Sequence, residues 1–439
     1  MNPMIDARMN RRRFLQLAGL SAAGTVLGCA VNPVTGRQQL MLVSEEEEIQ
    51  IDRQRSPFQI SEDYGALQDT ALDAYINRTG MAIARKSHRP NMPYSFRGVN
   101  AVYMNAYAFP GGTIAVTRGM LIELQNEAEL AAVLGHEIGH VNARHTAQQM
   151  SKGMISQLFV AGASVLASSY GFGNLAAQLG SLGAGALLAS YSRDNEREAD
   201  ALGMEYMVRA GYSPKGMVGL LEILKRKSRK GGDAVSLLFA THPMSDERYR
   251  TALREAATRY ASAMNLPLYR DRYMDNTRRL RAQAGAIRTL QQAEAEMSRR
   301  NFRGATDLFR RALKKAPRDY AGLLMMAKCQ LAQKKPSVAL PYARTAKQVY
   351  PSEAQGYFIS GYSELQLKRY DAAYADFERN EKLLPGNPNV SFLKGYALEQ
   401  MHRRKEAAQA YYRYLQQVKE GKMARYAYQR LVQWGYLKR

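Results

Sequence analysis

The stretch Asn126-Glu127-Ala128-Glu129-Leu130-Ala131-Ala132-Val133-Leu134-Gly135-His136-Glu137-Ile138-Gly139-His140-Val141 governs the reading of the first half of the chain. Asn126 is a side-chain acceptor placed to cap a helix, and Glu129, three residues on, completes a capping-box spacing. Leu130, Leu134, Ile138 and Val141 then recur at helical spacing, which predicts an amphipathic helix. On such a helix His136 and His140 stand one turn apart on one face, as two ligands of a single zinc ion must. Glu137 lies beside that face, in reach of a water at the metal, which is the place of a general base.

A catalytic zinc needs a third protein ligand and an open position. The chain has six histidines. His145 is nine positions after His136, which places it on the far side of the same helix as a surface residue. The third ligand is instead expected at Glu196, in Asn195-Glu196-Arg197-Glu198-Ala199-Asp200, on a second helix with Ala199 and Leu202 on its apolar side. Asp200, four residues on, is placed to accept a hydrogen bond from a zinc histidine. Glu198 points elsewhere and reads as a solvated charge.

Together, HEIGH at 136–140 and ExxxD at 196–200 resemble the gluzincin peptidases related to the CAAX prenyl protease and HtpX. The upstream Asn105-Ala106-Tyr107-Ala108-Phe109-Pro110-Gly111-Gly112 is similar to a segment that this family carries before its zinc helix. It reads as a strand over 105–109, a turn, and a returning strand over Thr113–Thr117. An edge strand there holds an extended peptide by main-chain pairing, so Asn105, Ala106 and Tyr107 are the expected substrate-binding residues. The resemblance extends to Thr241-His242-Pro243 and Arg248. It implies a zinc endopeptidase with one Zn2+ per chain, held by His136, His140 and Glu196. Glu137 is then the catalytic base, and Asp200 and Arg248 support the ligands from behind. For His242 it implies a fourth ligand or a transition-state stabiliser, with a buried structural histidine as the alternative.

Upstream, Arg11-Arg12-Arg13-Phe14-Leu15, a short apolar run and Val26-Leu27-Gly28-Cys29 resemble a twin-arginine leader ending in a lipoprotein box. Cys29 is therefore the expected lipidation site, and Ala30 after it favours the outer membrane. Downstream, residues 153–192 carry no charged side chain and break near 168–174. Each arm is short for a membrane crossing, so a helical pair beside the active site is expected.

Further out, Pro317, Pro351 and Pro385 are 34 residues apart, as are Ala305, Ala339, Ala373 and Ala407. This period resembles tetratricopeptide repeats, with four repeats over 286–419 and a capping helix over Tyr426–Tyr436. The chain has 62 Lys+Arg against 39 Asp+Glu in 439 residues, a formal charge of +23. Of these, 29 basic and 13 acidic residues lie in 285–439, a net of +16. The excess thus belongs mainly to the repeats, where it steers acidic partners or anionic membrane components. No nucleic-acid motif accompanies it. A composition 46% hydrophobic excludes a wholly disordered chain, and two cysteines exclude a disulfide framework.

The expected architecture is α+β. A zincin-type metallopeptidase domain, helices with a small edge-strand sheet, is followed by an all-α tetratricopeptide-repeat solenoid. The expected divisions are an export signal over 1–28, the peptidase over 29–265, a linker over 266–285 and the repeats over 286–439. This order is similar to that of the periplasmic beta-barrel assembly-enhancing proteases. The similarity implies a periplasmic, lipid-anchored protein that cleaves unfolded or misassembled envelope proteins. Its repeats would dock outer-membrane assembly machinery, and nucleic acid is no partner. The alternative is a chaperone or scaffold with a mostly self-inhibited site.

Overall fold

The structure, a computed structural model, describes residues 29–151, 191–230 and 233–438. The leader 1–28 and most of the stretch 153–192, with its expected helical pair, lie outside the described residues. Among the described residues, no helix is long and apolar enough to cross a membrane.

A two-stranded ribbon, β1 (Cys29–Val31) against β2 (Gln38–Leu40), precedes helix α1 (Glu45–Glu62). Strands β3 (Ser95–Val99), β4 (Ala106–Ala108) and β5 (Thr113–Thr117) form a sheet in the order β3-β5-β4. The expected strand-turn-strand is there: β4 and β5 are antiparallel, and Phe109 N–H donates to Thr113 O at 2.8 Å. Gly112 closes the turn at φ +102°, a left-handed conformation that suits glycine. Helix α2 (Thr70–Ala84) covers the outer edge of β3, where Asn77 and Asp73 side chains accept from Phe96 and Gly98 N–H. Among the described residues β4 pairs with no strand other than β5, which makes it the sheet's other edge.

After the short α3 (Arg118–Leu121) comes α4 (Glu127–Asn142), the helix that carries HEIGH. Asn126 caps it, its Oδ1 accepting from Glu129 N–H at 2.9 Å. The reciprocal arm lands one residue early, with Gln125 N–H donating to Glu129 at 2.6 Å. The spacing predicts one buried stripe, but every residue of α4 is buried. The reason is tertiary: α2, α5 (Arg193–Arg209), α6 (Lys215–Lys230), α9 (Arg270–Ala282) and the sheet surround it. At its start the buried Glu127 is partnered, accepting from Tyr75 and Tyr212 hydroxyls at 2.8 and 2.7 Å.

The approach of α5 to α4 is backbone on backbone. A Cβ on Gly135 would lie 2.8 Å from Gly203 O, and one on Gly203 would lie 2.7 Å from His136 N. Only glycine at both places lets the helices meet this closely, and the contact draws Glu196 toward the two histidines. Helices α7 (Asp233–Thr241) and α8 (Asp246–Ala257) then flank His242.

Residues 266–285, expected as a linker, carry α9, whose Tyr273 and Thr277 are fully buried. Tyr273 donates its hydroxyl to Leu121 O at 2.6 Å, so this segment is part of the domain's packing. The repeats follow as four helix pairs: α10 (Ala284–Ser298) with α11 (Phe302–Lys315), α12 (Tyr320–Ala332) with α13 (Pro336–Val349), α14 (Ala354–Gln366) with α15 (Tyr370–Leu383), and α16 (Pro388–Gln400) with α17 (Arg404–Gln417). Pro317, Pro351 and Pro385 each fall just past the second helix of a pair, where proline stops a helix. Pro336, out of pattern for the repeat, sits in the first turn of α13, where its missing N–H costs nothing. The turn inside each pair is made by Arg300, Lys334, Lys368 or His402, all left-handed at φ of 61°, 57°, 60° and 60°. The capping helix α18 (Lys422–Gln433) starts four residues before its expected position, at the left-handed Gly421.

The repeats are joined to the peptidase domain through polar contacts, one of them a buried ion pair. Arg118 makes two hydrogen bonds to Asp319 at 2.6 and 2.9 Å, both side chains buried. Gln355 donates to Ser61 O at 2.9 Å, and Gln291 to Val102 O at 2.6 Å. Nearby, Lys328 sits 4.5 Å over the Tyr64 ring, within reach of Glu62, Asp63, Glu294 and Glu353. Burial pushes the Glu294 carboxyl up to about 8 and pushes the Lys328 ammonium down to about 8.

Glu294 holds a proton in the folded chain that the unfolded chain releases near 4.5. Stability is therefore expected to fall as pH rises from about 5 to 8, because the folded state binds more protons there. Lys328 acts in the opposite sense only above about pH 8, where the folded chain has lost its proton and the unfolded chain has not. Glu294→Gln should flatten the decline by an amount on the order of a few kcal/mol. Denaturant midpoints at pH 5, 6, 7 and 8 check this, and parallel slopes for wild type and variant would contradict it.

Candidate metal centre

His136 and His140 project from the last turns of α4, Glu196 from the first turn of α5, and His242 from the residue after α7. One ligand atom from each lies within 4.8 Å of the others, and all four residues are buried. His136 Nε2 and His140 Nε2 are 3.1 Å apart. Glu196 reaches His140 Nε2 at 3.3 Å and His136 Nε2 at 3.6 Å. Ligands at about 2.1 Å around a tetrahedral zinc stand about 3.4 Å from one another, so this spacing fits the ion.

The proton placement fits as well. His136 Nδ1 lies 3.0 Å from Asp200 Oδ1, so its proton is on Nδ1 and its Nε2 offers a lone pair. Two imidazole lone pairs and a carboxylate aimed at one point repel one another unless a cation sits between them. Burial holds the His140 imidazole well below its ordinary value, which keeps it neutral as a ligand must be. Burial works against the Glu196 charge, but His242 and His136 beside it bring its carboxyl well below the usual range. Arg248 reaches Glu196 at 2.6 Å and holds both oxygens of Asp200, at 2.6 and 2.7 Å.

Glu137 stands beside the cluster without joining it. Its Oε1 is 3.8 Å from His242 Nε2, and its Oε2 is buried with no hydrogen-bond partner among the described residues. Burial raises its carboxyl. An unmet acceptor of raised basicity next to the metal position is suited to taking a proton from water there. His242 Nδ1 is 3.0 Å from Glu196 Oε1 and 3.4 Å from His136 Nε2.

The other expected residues are more dispersed. Ala106 opens the edge strand β4, and Asn105 precedes it, fully buried with both amide atoms unpartnered among the described residues. Tyr107 turns inward and donates its hydroxyl to Asp63, so only its main chain is left at the edge. Cys29 begins β1 and pairs with Leu40.

His145 is a correction: it is buried, with Nδ1 2.9 Å from His140 Nδ1. Helix α4 ends at Asn142, and the left-handed Arg144 (φ +58°) turns the chain so that His145 begins a new helical run under the site. Glu198, read as solvated, is part-buried and meets His145 Nε2 at 3.2 Å. Tyr191 had no sequence signal at all. Its ring stacks on His140 with centroids 3.7 Å apart and 16° between planes, and its N–H donates to Thr241 O.

Residues 70–256 match peptidase family M48, and this span holds the sheet, α4, α5 and all four converging side chains. That span is a family M48 peptidase domain. Residues 290–354 and 324–388 match tetratricopeptide repeats, so the M48 domain is followed by a repeat array as expected. Over 195 residues the chain is 32% identical to the beta-barrel assembly-enhancing protease of Yersinia pestis, covering 43% of this chain and 40% of that protein. Over 158 residues it is 35% identical to metalloprotease YcaL of Escherichia coli (strain K12), covering 36% of this chain and 59% of that one. The matched part thus spans 40% of the length of the first of these relatives. Among solved structures, the tetratricopeptide-repeat protein YrrB aligns with 48% of this chain and 99% of its own at a TM-score of 0.32 and 14% identity, too distant to carry an argument.

Proposed function

We propose that this chain is a zinc-dependent endopeptidase that hydrolyses misfolded or misassembled envelope proteins, with its repeats docking partners. The observation that carries the reading is the convergence of His136 Nε2, His140 Nε2 and Glu196 on one point, with the unpartnered carboxylate of Glu137 beside it. A zinc bound there supplies Lewis-acid polarisation of a peptide carbonyl and acidifies water. Glu137 then takes a proton from that water and hands it to the leaving nitrogen. His242 faces the developing oxyanion. The edge of β4 holds the substrate main chain, with Asn105, Ala106 and Tyr107 at its start.

The name of the Yersinia pestis relative, a beta-barrel assembly-enhancing protease, supports a setting at beta-barrel assembly, with envelope proteins as substrates and the assembly machinery as partner of the repeats. The leader supports a periplasmic place, with a lipid on Cys29 and the outer membrane as the anchor. A second reading, a scaffold whose protease is mostly held inactive, draws on the position of His242, which closes the ligand group from a fourth side.

Casein hydrolysis by the full chain tests both readings. It is expected to stop on chelation and return with zinc, and chelator-insensitive cleavage would contradict the metal reading. His242→Ala is expected to raise the rate several-fold if the histidine blocks the site. A fall in rate would make His242 a transition-state stabiliser and remove the self-inhibited reading.

A further inference from the structure

We propose that His145 and Glu198 form a hydrogen-bonded relay that fixes the tautomer and orientation of His140, which makes His145 a positioning residue for the metal. The inference rests on the metal reading of the His136, His140 and Glu196 group, and on no other part of the proposed function.

His140 Nε2 faces His136 Nε2 at 3.1 Å and Glu196 Oε1 at 3.3 Å, so as a ligand it carries its proton on Nδ1. That Nδ1 lies 2.9 Å from His145 Nδ1, a distance at which only one of the two nitrogens can hold a proton. The other end of His145 decides which. Its Nε2 is 3.2 Å from Glu198 Oε2, and an ionised carboxylate only accepts, so the His145 proton is on Nε2. His145 Nδ1 is then a lone pair, and the chain runs in one direction: His140 Nδ1–H to His145 Nδ1, His145 Nε2–H to Glu198 Oε2. A metal histidine is usually oriented by a carboxylate or carbonyl on its far nitrogen, and His136 has one directly in Asp200 at 3.0 Å. His140 has an imidazole interposed instead.

The surroundings hold that imidazole in place. Arg144, left-handed at φ +58°, donates from Nε to Glu48 at 2.9 Å and from Nη2 to Val43 O at 2.7 Å. Arg89 bonds Glu48 at 2.8 Å and Val141 O at 2.9 Å, so the turn between α4 and His145 is clamped on both sides. Tyr191 covers the face of the His140 ring while His145 meets its edge. These contacts hold the His140 ring with Nε2 toward His136 and Glu196.

Metal-stripped full chain, titrated with zinc against a chromophoric chelator, tests the relay. His145→Leu should weaken zinc affinity about 10–100-fold. His145→Asn should recover most of that loss, because its amide oxygen replaces Nδ1 as an acceptor. Glu198→Ala should lose several-fold, less than His145→Leu because water reaches this part-exposed position. Cobalt-substituted His145→Leu should show a shifted visible d–d band, while the unfolding midpoint of its metal-free form stays at the wild-type value. That pair of readouts separates positioning from a merely structural role. Wild-type chain that binds no zinc would overturn the metal reading beneath the proposal. Tight wild-type binding that is equal in His145→Leu and Glu198→Ala would overturn the relay alone. If His145→Leu does not fold, Glu198→Ala decides: a several-fold loss supports the relay and an unchanged affinity overturns it.

Discussion

Glu137→Gln is expected to keep its zinc and to lose about 10²–10⁴-fold in casein hydrolysis. The substitution is close to isosteric, and Glu137 is not among the atoms that converge on the metal position. Removing its charge therefore leaves the His136, His140 and Glu196 set intact. What disappears is the capacity to take a proton. Glu137 Oε2 is buried without a partner among the described residues, and burial raises its carboxyl, so it is a stronger base than an exposed glutamate. An amide in its place cannot accept the proton of water or return it to the leaving nitrogen. Zinc content and turnover measured on one preparation check both halves. Unchanged hydrolysis would remove Glu137 from the chemistry, and loss of zinc would place it among the ligands.

The second large effect is structural. Asp319→Ala is expected to destabilise the whole chain by about 3–5 kcal/mol, because it leaves the Arg118 guanidinium buried and unpaired. A further ~1 kcal/mol comes from the helix cap that Asp319 supplies to α12, where its Oδ1 accepts from Gly322 N–H at 2.8 Å. Typical domains have a total stability of about 5–15 kcal/mol, so the loss is a large fraction. Since Arg118 belongs to the peptidase domain and Asp319 to the repeats, the two parts should unfold at lower denaturant together. Replacing both residues, as Arg118→Met with Asp319→Leu, should recover part of the loss by leaving no buried charge. A change below about 1 kcal/mol for Asp319→Ala would mean the pair is hydrated and the junction loose.

The meeting of His136 and His140 was legible because the two lie within one helical turn, and spacing alone puts such residues on one face. Asp200 was legible for the same reason, being four residues from Glu196. The repeats were legible because a 34-residue period reports packing that recurs. What failed depended on chain reversals and distant partners. His145 is five residues from His140, but its place is set by Arg144, whose left-handed turn is held by Glu48, 96 residues upstream, and Val43, 101 upstream. Nothing local in Asn142-Ala143-Arg144 signals a reversal, since arginine is not a residue that favours positive φ. The left-handed turns at Arg300, Lys334, Lys368 and His402 were in plain sight as a 34-residue series but carry no glycine to mark them. The Arg118–Asp319 pair spans 201 residues, and only the folded chain brings it together.

The concentration of +16 of the charge in residues 285–439 shows why net charge alone misleads. The +23 of the chain says nothing about the site, where two histidine lone pairs and a carboxylate face one another at 3.1 to 3.6 Å. That geometry is the centre of the account, and elemental analysis tests it most directly. The full chain purified without added metal, beside His140→Ala prepared in the same way, is predicted to carry one zinc per chain where the variant carries almost none. Zinc absent from the wild type, or equally present in both, would contradict it.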